Sequence, residues 1–198
     1  MHNIENNITK RLFEHFNKFV EVSEKEFQEI VTFFDLHSFS KKEIIVEAGN
    51  TCNSIYFVLE GCIHMFFISD NGSERTVQFA IENWWMTDYL AFNNQKITDF
   101  YIQAVESTQA LSISYDNQEK LLSLYPKLER YFRIISQVSY GSSLMKLKYL
   151  YDLSKEEIYF HFIEHFPEFA QRVPQYLIAS FLGLTPEYVS EIRNKKRS

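Results

Sequence analysis

The chain has 198 residues, 45% of them hydrophobic and 17% aromatic, with 19 Phe and 12 Tyr but only 5 Gly and 4 Pro. That composition excludes a disordered chain and supplies enough apolar surface for one large domain or two small ones. The net charge of −6 excludes a uniformly basic, nucleic-acid-coating protein, but the charge is uneven. From Gln171 to Ser198, Arg172, Arg193, Lys195, Lys196 and Arg197 face only Glu187 and Glu191, a balance of +3 that leaves −9 for the remainder. An acidic body with a basic end suits a protein that touches DNA with that end alone.

No apolar run reaches the 18 residues of a membrane span, and Met1–Arg11 lacks the basic-then-apolar pattern of a secretory signal. A cytoplasmic protein without membrane partners is expected. Cys52 and Cys62 are too few for a disulfide framework or a four-thiolate iron–sulfur cluster and read as core thiols.

In chain order, Ile4, Ile8, Leu12, Phe16 and Phe19 mark a first helix. Ser23, with Glu26 placed for a capping box, opens a second that runs to about Phe34. The period then shortens to that of strands: Glu43–Glu47, Ser54–Glu60, Cys62–Ser69 and Glu74–Ile81, then Tyr101–Glu106 and Ala110–Tyr115. Asp70-Asn71-Gly72 marks a hairpin, because Asn71 and Gly72 tolerate positive φ. Many short antiparallel strands at this spacing predict a jelly roll.

Helical periodicity returns at Asn117. A short helix ends near Tyr125-Pro126, and a long one spans 126–152. Along it Leu128, Tyr131, Ile135, Val138, Ser142, Met145 and Tyr149 alternate in steps of three and four, the pattern of a two-helix seam, so these residues are the expected dimer interface. Ser154 and Glu157 form a second capping box, opening a helix through Phe166 that Pro167 stops.

The last segment carries the functional signal. Pro174 suits a first helical turn, and Leu177, Ile178 and Phe181 give that helix an apolar face. Ala179 admits a close helix crossing, Gly183 takes the turn, and Leu184 plugs the corner. Thr185 caps a second helix that starts at Pro186. Val189 and Ile192 face inward. This is a helix-turn-helix, the arrangement that docks in a major groove. The expected DNA contacts are Gln175, Thr185, Pro186, Glu187, Tyr188, Ser190, Glu191, Arg193, Asn194 and Lys195.

The tail, with Ala179, Gly183, Leu184 and Thr185-Pro186, resembles the winged-helix end of the Crp/Fnr family of transcription regulators. Ile55–Ile63 with the Asp70-Asn71-Gly72 hairpin is similar to that family's cyclic-nucleotide-binding-like jelly roll, and the resemblance covers nearly the whole chain. It implies an α+β chain. Its parts are a cyclic-nucleotide-binding-like sensor domain over 1–125, a dimerisation helix over 126–152 and a helix-turn-helix domain over 153–198. The partners implied are double-stranded DNA, a second copy of the chain, RNA polymerase and a small-molecule effector. Ser198 falls just after the recognition helix, so a truncated wing is expected. Where many relatives carry an Arg that reads guanine, this chain carries Glu191, which accepts from cytosine N4 and repels phosphate, so an unfamiliar operator is expected.

The resemblance also locates the nucleotide pocket. Asp88 stands at the position that contacts ribose, and Thr98-Asp99 replaces the Arg-Ser pair that neutralises the cyclic phosphate. An acid in that place opposes cyclic AMP in the usual mode, so the cofactor or effector is unknown. The expected lining is Arg75, Trp84, Trp85, Asp88, Tyr89, Thr98, Tyr101 and Gln103, with Phe100 nearby. An effector-independent regulator whose aromatics simply fill the barrel remains open. His64, alone on an apolar strand, reads as core in preference to a haem ligand. His161-Phe162-Ile163-Glu164-His165 matches the H-x-x-E-H pattern of zinc peptidases, but no third ligand follows it, so neither an enzyme nor a metal site is expected.

Overall fold

The computed structural model describes residues 2–197, and side chains over residues 10–195. The side chains of Ile4 and Ile8 lie outside the described residues. Contacts gather into two compact units, one made of residues up to 65 with 79–137, the other of 66–78 with those from 138 onward.

The first unit opens with α1 (His2–Asn17) and α2 (Glu24–Ile30), followed by a 3-10 turn at Val31–Phe33. Ser23 caps α2 as the spacing predicts. Its Oγ accepts the Glu26 N–H at 3.3 Å, and the Glu26 carboxylate accepts the Ser23 N–H at 2.8 Å. Lys127 also donates to Glu26 at 2.7 Å, and these bonds hold the carboxyl at a pKa of about 2.

Eight strands follow: β1 (Asp35–Phe39), β2 (Ile44–Val46), β3 (Ser54–Glu60), β4 (Ile63–Ile68), β5 (Glu74–Ala80), β6 (Trp85–Met86), β7 (Tyr101–Ala104) and β8 (Thr108–Ser114). They form two four-stranded sheets, ordered β1-β8-β3-β6 and β2-β7-β4-β5. The jelly-roll expectation holds. Two strands escape the sequence pattern. Asp-Leu-His-Ser-Phe in β1 is half polar and becomes a strand by pairing antiparallel with β8 from Asp35↔Ser112 to Phe39↔Thr108. The two-residue β6 is too short to show a period. At the hairpin tip only Gly72 takes positive φ. Asn71 serves instead through its side chain, whose Oδ1 accepts from the Ser69 hydroxyl and the Ser73 N–H.

Helices α3 (Tyr89–Asn94), α4 (Tyr115–Leu124) and the start of α5 (Lys127–Asp152) also belong to this unit, whereas the hairpin over 66–78, with the end of β4 and most of β5, belongs to the second. Its core joins Leu12 and Phe16 of α1 to Phe27, Ile30, Phe57, Trp85 and Leu111, and to Leu128 and Tyr131 of α5.

The second unit holds α5 from Val138 onward, then α6 (Lys155–His165), α7 (Pro167–Arg172), α8 (Gln175–Phe181) and α9 (Pro186–Arg197). The Ser154 box caps α6 as expected. Pro167 does stop α6, but it also opens α7, which the sequence reading missed. Proline is tolerated at a first helical position, where no N–H is needed. Pro174 stands one residue earlier than expected, with extended ψ of 137° as the residue before α8. Ile158, Phe162, Phe169, Leu177, Ile178, Leu182, Val189 and Ile192 are buried and form this unit's apolar interior.

Candidate nucleic-acid interface

Helices α8 and α9 are joined by Leu182–Thr185. Gly183 has φ +70°, and a Cβ there would meet nothing within 4 Å, so the backbone angle alone calls for glycine. The Leu184 N–H returns to the Ala179 carbonyl at 2.8 Å, and Leu184 is buried as the corner plug. Thr185 Oγ1 accepts the Tyr188 N–H at 3.2 Å and caps α9. Val189 and Ile192 face inward, at 0% and 1% exposure.

The opposite face of α9 is polar. Thr185, Pro186, Glu187, Ser190, Glu191, Asn194 and Lys195 are exposed, and Tyr188 is half-buried. Arg193, expected to point outward, is instead half-buried and donates to Gln175 Oε1 at 2.8 Å, because Gln175 at the start of α8 offers it an acceptor. Gln175 Nε2 is buried without a hydrogen-bond partner among the described residues. Glu191 is bonded to Lys195 at 2.6 Å, one turn on, and this bond raises the Lys195 pKa. The carboxylate is thus met by a cation on its own helix.

The expected α5 seam divides. Leu128 and Tyr131 are 0% exposed, and Ile135 packs partly against the same core, so Leu128 and Tyr131 are spent within the chain and are withdrawn from the expected seam. The sequence pattern cannot distinguish these uses, since both need apolar groups at the same spacing. Beyond them Val138, Ser142 and Met145 are exposed, as are Tyr140, Leu144, Leu147, Leu150 and Tyr151. Tyr149 is half-buried, with its ring 4.4 Å from that of His161.

The expected ligand residues scatter in role. Asp88 is the cap of α3, its Oδ1 accepting from the Leu90 and Ala91 N–H groups at 3.1 Å and its Oδ2 from the buried Thr98 hydroxyl at 2.8 Å. Trp85 is core, 5% exposed, and its Nε1 donates to the Tyr131 hydroxyl at 2.7 Å. Trp84 is 44% exposed. Tyr89 and Tyr101 are half-buried, and burial pushes the Tyr89 hydroxyl up to about 12. Gln103 pairs with the buried His64 at 3.1 Å and donates to the Lys42 carbonyl. Arg75 belongs to the second unit. His161 and His165 stack with ring centroids 4.1 Å apart, and no group of three or more His, Cys, Asp or Glu gathers as metal ligands among the described residues.

Sequence reasoning missed one buried network. His15 Nδ1 lies 2.6 Å from the Tyr131 hydroxyl that Trp85 also contacts. Burial, aided by Lys18, lowers the His15 pKa to about 4, so the ring that shares this hydrogen bond with the Tyr131 hydroxyl is neutral. The three residues are far apart in sequence and show no local signal.

Residues 36–125 match the family model described as a cyclic nucleotide-binding domain. An anaerobic regulatory protein of Haemophilus influenzae is 25% identical over 165 residues, spanning 77% of this chain and 63% of that protein. The match therefore leaves over a third of that relative uncovered. Among solved structures, FixK2 from Bradyrhizobium japonicum superposes with a TM-score of 0.71 at 15% identity, covering 82% of this chain and 83% of that one. The c-di-GMP-responsive global regulator CLP of Xanthomonas campestris gives 0.71 at 14%, covering 86% and 89%. The fold is thus a cyclic-nucleotide-binding-like jelly roll followed by a long helix and a helical end. Residues 36–125 thus form a cyclic nucleotide-binding domain by the family model, and the relatives that the chain is similar to are named as regulatory proteins.

Proposed function

We propose that this chain is a DNA-binding transcription regulator that acts as a homodimer on pseudo-palindromic DNA. The observation that carries the reading is the capped α9, buried through Val189 and Ile192 and open through Glu187, Ser190, Glu191, Asn194 and Lys195. Tyr188 and the half-buried Arg193, paired with Gln175, add groups of the kind that meet phosphates. The exposed apolar stretch of α5 from Val138 to Tyr151 supports pairing with a second copy. The parts would be a sensor over 1–125, a dimer helix over 126–152 and the DNA-binding end over 153–198. RNA polymerase is the further partner implied, and the cytoplasm the compartment. No described helix is long and apolar enough to cross a membrane.

The barrel's trigger is not cyclic AMP in the usual mode, because Asp88 is engaged as a helix cap and Asp99 adds an exposed acid beside Thr98. A second reading, a structural barrel with no effector, is favoured by Trp85, which is packed in the core instead of lining a pocket. Genomic footprinting of the purified protein, with and without cell extract, tests both. Salt-dependent protection of paired half-sites is expected. Absence of any protection would sink the regulator reading, and equal protection in both conditions would favour the effector-free one.

A further inference from the structure

Strand β5 ends its sheet, so one side of its backbone has no neighbouring strand. Within the second unit a side chain of α8 takes that place. Ser180 Oγ accepts the Thr76 N–H at 2.9 Å and donates to the Glu74 carbonyl at 2.9 Å. Those two groups flank Arg75 and are the pair that one residue of a parallel strand would satisfy. A single hydroxyl thus does the work of a strand residue.

Beside it, Lys146 of α5 reaches the same strand. Its Nζ donates to the Val77 carbonyl at 3.1 Å and sits 3.7 Å from the centre of the Phe181 ring. One ammonium therefore grips the strand and the aromatic next to Ser180 together. Burial lowers its pKa to about 8, a measure of how little water reaches it. The contacts use Ser180 and Phe181 of α8, while the polar face of α9 stays exposed.

We propose that the β4–β5 hairpin is a latch for the DNA-reading head, in which Ser180 and the Lys146–Phe181 contact fix α8, and α9 with it, in a position ready for DNA. The proposal rests on the DNA-binding reading above and adds how the head is held. A head held in place loses less freedom on docking, so the latch favours binding.

The test compares the full-length protein with Ser180→Ala, Ser180→Thr and the double variant Ser180→Ala/Lys146→Met. Amide hydrogen exchange is read without DNA, and affinity is read on a footprinted site. Ser180→Ala is expected to speed exchange at the Thr76 amide about tenfold, with Ser180→Thr close to wild type because it keeps the hydroxyl. The double variant is expected to bind DNA about tenfold more weakly while exchange in β3 and β8 stays unchanged. Unaltered Thr76 exchange in Ser180→Ala would overturn the latch. So would faster exchange with DNA affinity unchanged or tighter. A wild-type protein with slow Thr76 exchange that binds no DNA would overturn the regulator reading alone.

Discussion

The two units handle polar and apolar groups in opposite ways. The first seals them. Tyr131, fully buried on α5, receives the Trp85 indole and meets His15, and aromatic rings pack around all three. The second buries an interior of its own but leaves more of them open, with an exposed apolar α5 surface, a polar α9 face and a strand met by the side chains of Ser180 and Lys146. The same helix passes through both. Where it is buried its apolar groups make fold, and where it is exposed they remain for a partner.

Substitutions along α5 should expose that division most sharply. Leu128→Asp places an unpaired carboxylate in the sealed core and should cost roughly 4 kcal/mol or more, read as loss of the cooperative urea transition. Met145→Asp should leave monomer stability within about 0.5 kcal/mol and instead halve the mass seen in sedimentation. An equally unfolded Met145→Asp would erase the distinction.

Two glycines give the next contrast. At Gly61, φ is +103° and an added Cβ would lie 2.5 Å from Thr108 Oγ1 and 2.7 Å from the Ser107 carbonyl, so Gly61→Ala should cost about 3 kcal/mol. At Gly183 the space is empty, and Gly183→Ala should cost only about 1 kcal/mol of backbone strain. Thermal or urea unfolding of both variants ranks them, and equal losses would contradict the geometry.

The units should also answer pH in the same direction but in different windows, each gaining stability as pH rises through its own. His15 is buried neutral with its pKa lowered to about 4, so the unfolded chain binds more protons between that value and 6.5. The first unit should lose about 2 kcal/mol as pH falls through that range, and His15→Gln should flatten the loss. Lys146, lowered to about 8, is the depressed amine of the second unit. Unfolded chains bind more protons between 8 and 10.5, so that unit should gain stability as pH rises there, and Lys146→Met should remove the slope. Exchange rates resolved by unit read both trends.

The smallest effect belongs to Glu191. Glu191→Gln removes an acid from the open face and frees Lys195, so non-specific DNA affinity at low salt should rise by roughly twofold to threefold. Weaker non-specific binding would mean that the carboxylate does not face the phosphates.

Local sequence carried most of the elements. The Ser23 and Ser154 capping boxes, the strand from Ser54 to Glu60 and the Thr185-Pro186 start of α9 appear where spacing alone put them. Each depends on neighbours within a few residues, which is the range of backbone and capping chemistry. β1 was not legible because its half-polar residues become a strand only by pairing with β8, and α7 was not because a proline after a helix signals an end as well as a beginning.

By itself, then, the sequence determined the order of parts and the helix-turn-helix at the end, since both follow from short-range periodicity, caps and one required left-handed angle. Tertiary structure alone decided which half of the long helix is core and which is surface, that Asp88 caps a helix, and that Arg193 turns toward Gln175. It also joined Ser180 to the strand at Glu74 and Thr76. Those outcomes depend on groups brought together across tens of residues or more, or on a choice between neighbours that equal spacing leaves open.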